Sequence, residues 1–209
     1  MSASRTLRLA LDLRDPFAYL ALEPSLGWAH ARDLALDLLP FEGHVLKPPA
    51  PAREGDSRGV RHRRHRAEFL AREIATYAEV QGLTIRDPYR DASVGAASQA
   101  WLWLREQRAA GLPDFLRELF RAHWALELDA SDPAAVVRLV GAAGADAEAC
   151  GDWSHREGRA ALAAQQQALR EEGVFQSPTY LLEGELFCGR QHLPLLGWIL
   201  EGRRGPVPI

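Results

Sequence analysis

Apolar residues alternate with others over Leu7-Arg8-Leu9-Ala10-Leu11-Asp12-Leu13, a period of two that predicts a first strand. Asp15-Pro16 follows at once. An acidic N-cap with proline at the first helical position predicts a helix start. Phe17, Tyr19, Leu20, Leu22 and Glu23 carry that helix to Pro24 or slightly beyond. Leu34 to Phe41 reads as a second strand. A helix separates the two, so they are expected to run parallel through a right-handed crossover.

Residues 47–60 are rich in proline and glycine and predict a loop, either a flap over a site or a passive link. The period then changes. Arg61 to Gln81 places Phe69, Leu70, Ile74, Tyr77 and Ala78 at helical spacing, and Gly82 ends it. Further helices are predicted over about 93–110, from Pro113-Asp114 onward, from Ser131-Asp132-Pro133 to about 141–144, and over about 152–172. Trp101, Trp103, Phe120 and Trp124 lie within these helices, which fits packing rather than a base-stacking surface.

Gly173 closes the long helical region in the manner of a C′ glycine. Ser177-Pro178 enters the run Thr179 to Leu182, Glu183-Gly184-Glu185 makes a tight turn, and Leu186 to Cys188 return, which together predict a β-hairpin. A terminal helix follows. Read locally, the Ser177-Pro178 bond is either an ordinary trans proline opening an edge strand, the commoner case, or cis, which would present the Ser177 backbone to an extended peptide-like ligand. The fold class is therefore α/β: residues 1–45 and 173–209 form one sheet domain, 46–60 a loop and 61–172 an all-helical insertion.

Composition narrows the function. The 209 residues are 47% hydrophobic and 25% charged, as in a globular protein with an ample core. The net charge of −3 argues against a general nucleic-acid binder. No apolar stretch is long enough to cross a membrane. Met1 to Arg5 run directly into the first strand without a signal-peptide pattern, so a cytoplasmic location is expected. Cys150 and Cys188 form no C-x-x-C and read as small buried apolar residues, which excludes disulfide exchange by that motif. The basic run Arg61 to Arg66 either draws an anionic substrate or is a solvated helix face. His62 and His65 have no further ligand at metal-binding spacing, so no metal is expected.

Particular residues then add a resemblance. Asp12-Leu13-Arg14-Asp15-Pro16-Phe17-Ala18-Tyr19-Leu20-Ala21 is similar to the D-x-x-S-P-[FY]-[SA]-Y-L-A opening of the kappa-class glutathione transferase and 2-hydroxychromene-2-carboxylate isomerase family. Phe120-Arg121-Ala122 with Trp124, Asp129, Asp132 and Pro133 resembles that family's helical insertion. Gly173-Val174-Phe175, Ser177-Pro178-Thr179 and Gly184 to Phe187 resemble its cis-proline segment, which with the helix-to-strand entry implies a cis Ser177-Pro178 bond, and Gly205 to Pro208 resemble its ending. The likeness touches nearly the whole chain. It implies a thioredoxin-like, DsbA-type sheet domain with an inserted helical domain.

The resemblance also implies a function: a glutathione-dependent isomerase or transferase acting on a small aromatic or electrophilic substrate, working as a homodimer. Ser177, Pro178, Arg190 and Gln191 would hold glutathione, and Asp15 stands where the family has its catalytic serine. Two positions depart from the pattern. An ionised Asp15 only accepts hydrogen bonds, and at an effective dielectric near 20 it would repel a thiolate about 4 Å away by about 4 kcal/mol. The helix N-terminus would return about 1 kcal/mol. Gln191 stands where relatives carry an acidic residue for the glutathione amino group. Asp15 therefore reads either as a catalytic group or as an N-cap alone, and the alternative function is a thioredoxin-fold binding protein without the chemistry.

Overall fold

The computed structural model describes residues 6–208; the Met1 to Arg5 stretch, on which the reading of the chain's start rests, lies outside them. Strand β1 (Thr6–Leu11) leads into α1 (Pro16–His30), β2 (Ala35–Pro40) and a loop. Helices α2 (Arg58–Gln81), α3 (Gly95–Glu106), α4 (Leu112–Trp124), α5 (Pro133–Ala142), α6 (Ala147–Trp153) and α7 (Arg159–Glu171) follow without an intervening strand. The chain then returns through β3 (Thr179–Leu182), β4 (Glu185–Cys188), a 3-10 turn at Arg190–His192 and α8 (Leu193–Leu200).

The four strands lie in the order β2-β1-β3-β4. β1 runs parallel to β2 with Leu9 opposite Leu38, and antiparallel to β3 with Leu9 opposite Tyr180. Alternation in β1 sends Leu7, Leu9 and Leu11 to one face, where they join Trp101, Phe120, Trp124 and the α8 leucines in a single buried cluster. Ala10 faces the other way, against Leu39, Phe41, Leu169, Val174 and Leu181. Trp101 also donates its indole N–H to the Leu38 carbonyl at 3.0 Å, tying α3 to the sheet.

Several boundaries differ from the sequence reading. Strand β1 ends at Leu11 rather than Leu13, and α2 starts at Arg58 rather than Arg61. Helix α1 continues through Pro24 to His30. Proline has no N–H for the Leu20 carbonyl four residues back, and Gln81 Nε2 at the end of α2 donates to that carbonyl instead, at 3.2 Å. The last predicted helix starts earlier, at Ala147, and contains a π-turn over Ser154–Gly158. The hairpin turn has two residues, Glu183 and Gly184, both with positive φ (52° and 84°), which matches the twist of the strands. Gly173, with φ 94°, ends α7 as expected; the next N–H, of Val174, reaches back to the Leu169 carbonyl at 2.9 Å.

Candidate functional site

The end of β1, the start of α1 and the entry to β3 converge. Asp15 caps α1: its Oδ1 accepts from the Phe17 N–H at 2.9 Å. Across from it, the Ser177–Pro178 bond is cis, as the family resemblance implies. The Ser177 hydroxyl accepts from the Asp12 N–H at 2.9 Å, which leaves its own proton to donate to the Asp15 carboxyl. No backbone–backbone hydrogen bond engages the Ser177 N–H or C=O among the described residues. Asp15, Ser177 and Pro178 are thus brought together.

Part of Asp15 still reaches solvent, yet its carboxyl is crowded by protein. Loss of water pushes its pKa up to about 8. The Asp12 carboxylate pushes the same way, while hydrogen bonds from Phe17 and Ser177 oppose it. This corrects the expectation of an ionised aspartate. Desolvation and a neighbouring like charge outweigh the hydrogen bonds from Phe17 and Ser177, so the group keeps its proton through neutral pH.

Beneath lies a second carboxylate that the sequence reading quoted but gave no role. Asp12 is 1% exposed, and its oxygens take four donors: the Arg14 N–H and Nε at 2.9 and 3.1 Å, the Arg14 Nη2 at 2.9 Å, and the Gly43 N–H at 2.7 Å. The Asp12 charge and hydrogen bond raise the Arg14 pKa against the loss of water. Gly43 brings the start of the loop before α2 to this point, because a Cβ there would meet the Phe41 ring at 3.0 Å and the Gln176 Cα at 3.6 Å. A buried carboxylate followed two residues later by arginine, with a glycine after the second strand, is a signal that a pattern search can use.

Arg190 and Gln191 are placed differently. The Gly189 N–H donates to the Pro178 carbonyl at 2.8 Å, so their segment is anchored to the cis-proline. Arg190 stacks over the Tyr77 ring at 4.1 Å and makes no ion pair with a carboxylate among the described residues. Gln191 folds its amide back onto the Cys188 carbonyl at 3.0 Å. Gly189, with φ 100°, leaves the space this needs, since a Cβ there would lie 2.1 Å from Gln191 Oε1. Neither side chain bonds to Asp15 or Ser177. Of the two cysteines, Cys150 is buried and burial pushes its thiol up, whereas Cys188 is half-buried beside the Gln176 amide.

His123 is the other perturbed group. It is fully buried, neither ring nitrogen has a hydrogen-bond partner among the described residues, and its ring packs edge-on to Trp124 with centroids 5.1 Å apart. Burial, with the Arg90 and Arg14 charges, pushes its pKa down to about 3, so it is neutral. Two cavities, of about 410 and 420 Å³, open elsewhere; neither is lined by Asp15, Ser177, Pro178, Arg190 or Gln191. No cluster of three metal-ligating side chains and no helix long and apolar enough to span a membrane occurs among the described residues.

Known proteins share this fold. A 2-hydroxychromene-2-carboxylate isomerase superposes with a TM-score of 0.69 at 18% identity, covering 95% of each chain. A probable DsbA oxidoreductase from Streptomyces coelicolor gives 0.68 at 20% identity, covering 98% of this chain and 93% of the other. The cytosolic disulfide reductase DsbM from Pseudomonas aeruginosa, solved with GSH, gives 0.61 at 20% identity over 95% and 98%. At such identities the likeness is one of fold. No curated protein matches the chain by sequence. The model of the DsbA-like thioredoxin domain, however, matches residues 11–200. That match spans most of the chain, and the chain belongs to the DsbA-like thioredoxin family.

Proposed function

We propose that the protein is a glutathione-dependent enzyme of the isomerase or transferase type, acting on a small aromatic or electrophilic substrate. The observation that carries this reading is the Asp15 carboxyl, pushed up to about 8 at the N-terminus of α1 and facing the Ser177 hydroxyl. A carboxyl that holds its proton is a donor as well as an acceptor. Its Oδ1 serves the helix cap, and its proton is left for a sulfur, the task the family serine performs. The repulsion expected of an ionised aspartate is absent below about pH 8.

The remaining residues fit a peptidic thiol. The unengaged Ser177 N–H and C=O suit an extended backbone, which needs no enclosed cavity. The Arg190 guanidinium, free of carboxylate partners, suits a terminal carboxylate. The N-terminus of α1 favours negative charge on a nearby sulfur. Bound glutathione would supply a nucleophilic thiol. Asp15 and Ala18 occupy the spacing at which a cysteine pair would stand, so the disulfide chemistry named for the DsbA-type relatives has no C-x-x-C here. A small-molecule substrate and a homodimer, the latter checked by light scattering, belong to the same reading.

Calorimetric titration with glutathione, followed by turnover assays on conjugated aryl pyruvates and electrophilic aromatics, tests it. Saturable binding and glutathione-dependent turnover are expected. Binding without turnover on any such substrate would favour the non-catalytic binding protein. Absence of both binding and turnover would overturn the proposal.

A further inference from the structure

We propose that the helical region carries a second ligand site, independent of the Asp15–Ser177 junction, for a compact amphipathic carboxylate. The cavity of about 410 Å³ opens between α3, α5 and the π-turn after α6. Its size falls within the usual range for small-molecule sites. Ala96, Val136 and Val137 give it apolar walls, and Gln99, His155 and Arg159 its polar groups.

The charge pattern points to an anion. No aspartate or glutamate lines the cavity, although acidic residues outnumber lysine and arginine by 28 to 25 in the chain. Of the nearby carboxylates, Asp132 accepts from the Ala134 N–H and Asp129 from the Ser131 N–H and hydroxyl. Asp152, just before the π-turn, and Glu157, within it, do not line the cavity. His155 and Arg159 make no ion pair among the described residues. An unpaired guanidinium presents a planar fork that matches a carboxylate. The apolar walls suit a ring or branched chain attached to it.

The wall itself is specialised. A π-turn is an irregularity often found at functional positions, and here it delivers His155 and leads directly into Arg159. Gly158 ends it, and a Cβ there would lie 2.5 Å from Gln99 Oε1. The glycine therefore lets the Gln99 side chain lie against the turn. Helix α3 also begins at this cavity without a side-chain cap, and although its Ala97 N–H donates to the Ala130 carbonyl at 3.1 Å, the Gly95 and Ala96 N–H groups add partial positive charge.

The probes are 2-naphthoate and its neutral counterpart 2-naphthamide, titrated by calorimetry and thermal shift. Naphthoate is expected to bind and raise Tm, with the amide weaker by about tenfold or more, because it lacks the charge-assisted pair. Arg159→Met should weaken naphthoate by about tenfold and the amide little. Gly151→Leu should remove binding of both. A Cβ at Gly151 meets only Val137 Cγ2, at 3.7 Å, so the side chain is accommodated and fills the space. Asp15→Ser should leave naphthoate affinity unchanged. The proposal is overturned if wild type does not bind naphthoate, if the amide binds equally well, or if Arg159→Met binds naphthoate as wild type does. It also falls if binding survives Gly151→Leu but is lost in Asp15→Ser.

Discussion

The backbone N–H of Asp12 donates to the Ser177 hydroxyl at 2.9 Å, a bond between residues 165 apart in the chain. It joins the end of the first strand to the residue before the cis-proline. The same hydroxyl keeps a proton for Asp15. One side chain thus fixes the distance between the two halves of the candidate site and sets part of the acidity of its central group.

Ser177→Ala should test that double role. It leaves the buried Asp12 N–H without a partner and is expected to cost about 1–3 kcal/mol in urea denaturation. It also removes a hydrogen bond that lowers the Asp15 pKa, so the carboxyl should titrate higher than in wild type. An unchanged Asp15 titration, followed by carboxyl carbon NMR, would count against the Ser177–Asp15 contact.

Asp12→Asn should be more damaging. The amide NH₂ would confront either Gly43 N–H or the Arg14 guanidinium, donor against donor, and Arg14 would be left without its counter-charge. Losing one member of a buried ion pair costs about 3–5 kcal/mol. The loop start at Gly43 should also loosen, read as faster hydrogen exchange there. A loss below about 1 kcal/mol would place this pair with ordinary surface ion pairs.

Asp15 and His123 should titrate in opposition. Asp15 is protonated in the folded protein up to about pH 8 but ionises near 3.8 when unfolded. The folded state therefore holds the extra proton between these values, and stability falls as pH rises, by at most about 1.4 kcal/mol per pH unit. His123 titrates near 6.5 when unfolded and about 3 when folded, so there the unfolded chain holds the extra proton and stability rises with pH. From about pH 4 to 6.5 the two slopes offset; from 6.5 to 8 only the Asp15 decline remains. Denaturation of His123→Phe should show decline across the whole range from 4 to 8, and Asp15→Asn a rise up to 6.5. Wild-type stability that rises between pH 6.5 and 8 contradicts the raised Asp15 pKa.

Glutathione affinity should follow the same proton. Binding of the thiolate form is expected to weaken as pH passes about 8 and Asp15 ionises beside it. In Asp15→Ser that inflection should vanish, and affinity above pH 8 should exceed that of wild type. Identical pH profiles for the two proteins would remove Asp15 from contact with the sulfur.

Gln81 and Pro24 should be energetically coupled. Gln81→Ala strips the Leu20 carbonyl of its donor and is expected to cost about 1 kcal/mol. In a Pro24→Ala background residue 24 regains an N–H for that carbonyl, and the cost of Gln81→Ala should shrink. Additive losses in this double-mutant cycle would show that Gln81 does not replace the missing helical bond.

Local patterning carried much of this fold. The two-residue period of Leu7 to Leu11, the Asp15-Pro16 helix start and the glycine stop at Gly173 were legible because each depends on a few neighbouring residues, whereas the cis Ser177–Pro178 bond followed from the family resemblance, not from its neighbours. The family resemblance likewise follows linear motifs. Other features needed the chain to be closed upon itself. The continuation of α1 past Pro24 depends on Gln81, sixty-one residues after the carbonyl it rescues. The role of Asp12 emerges only once Gly43 and Ser177 are beside it. Above all, the protonation of Asp15 was decided by tertiary structure. An aspartate at a helix start reads as charged from its neighbours in sequence, but desolvation and the Asp12 charge are properties of the packed site. Residue types can be read in order along a chain, whereas the water each group loses and the charges it meets are set by what folds against it.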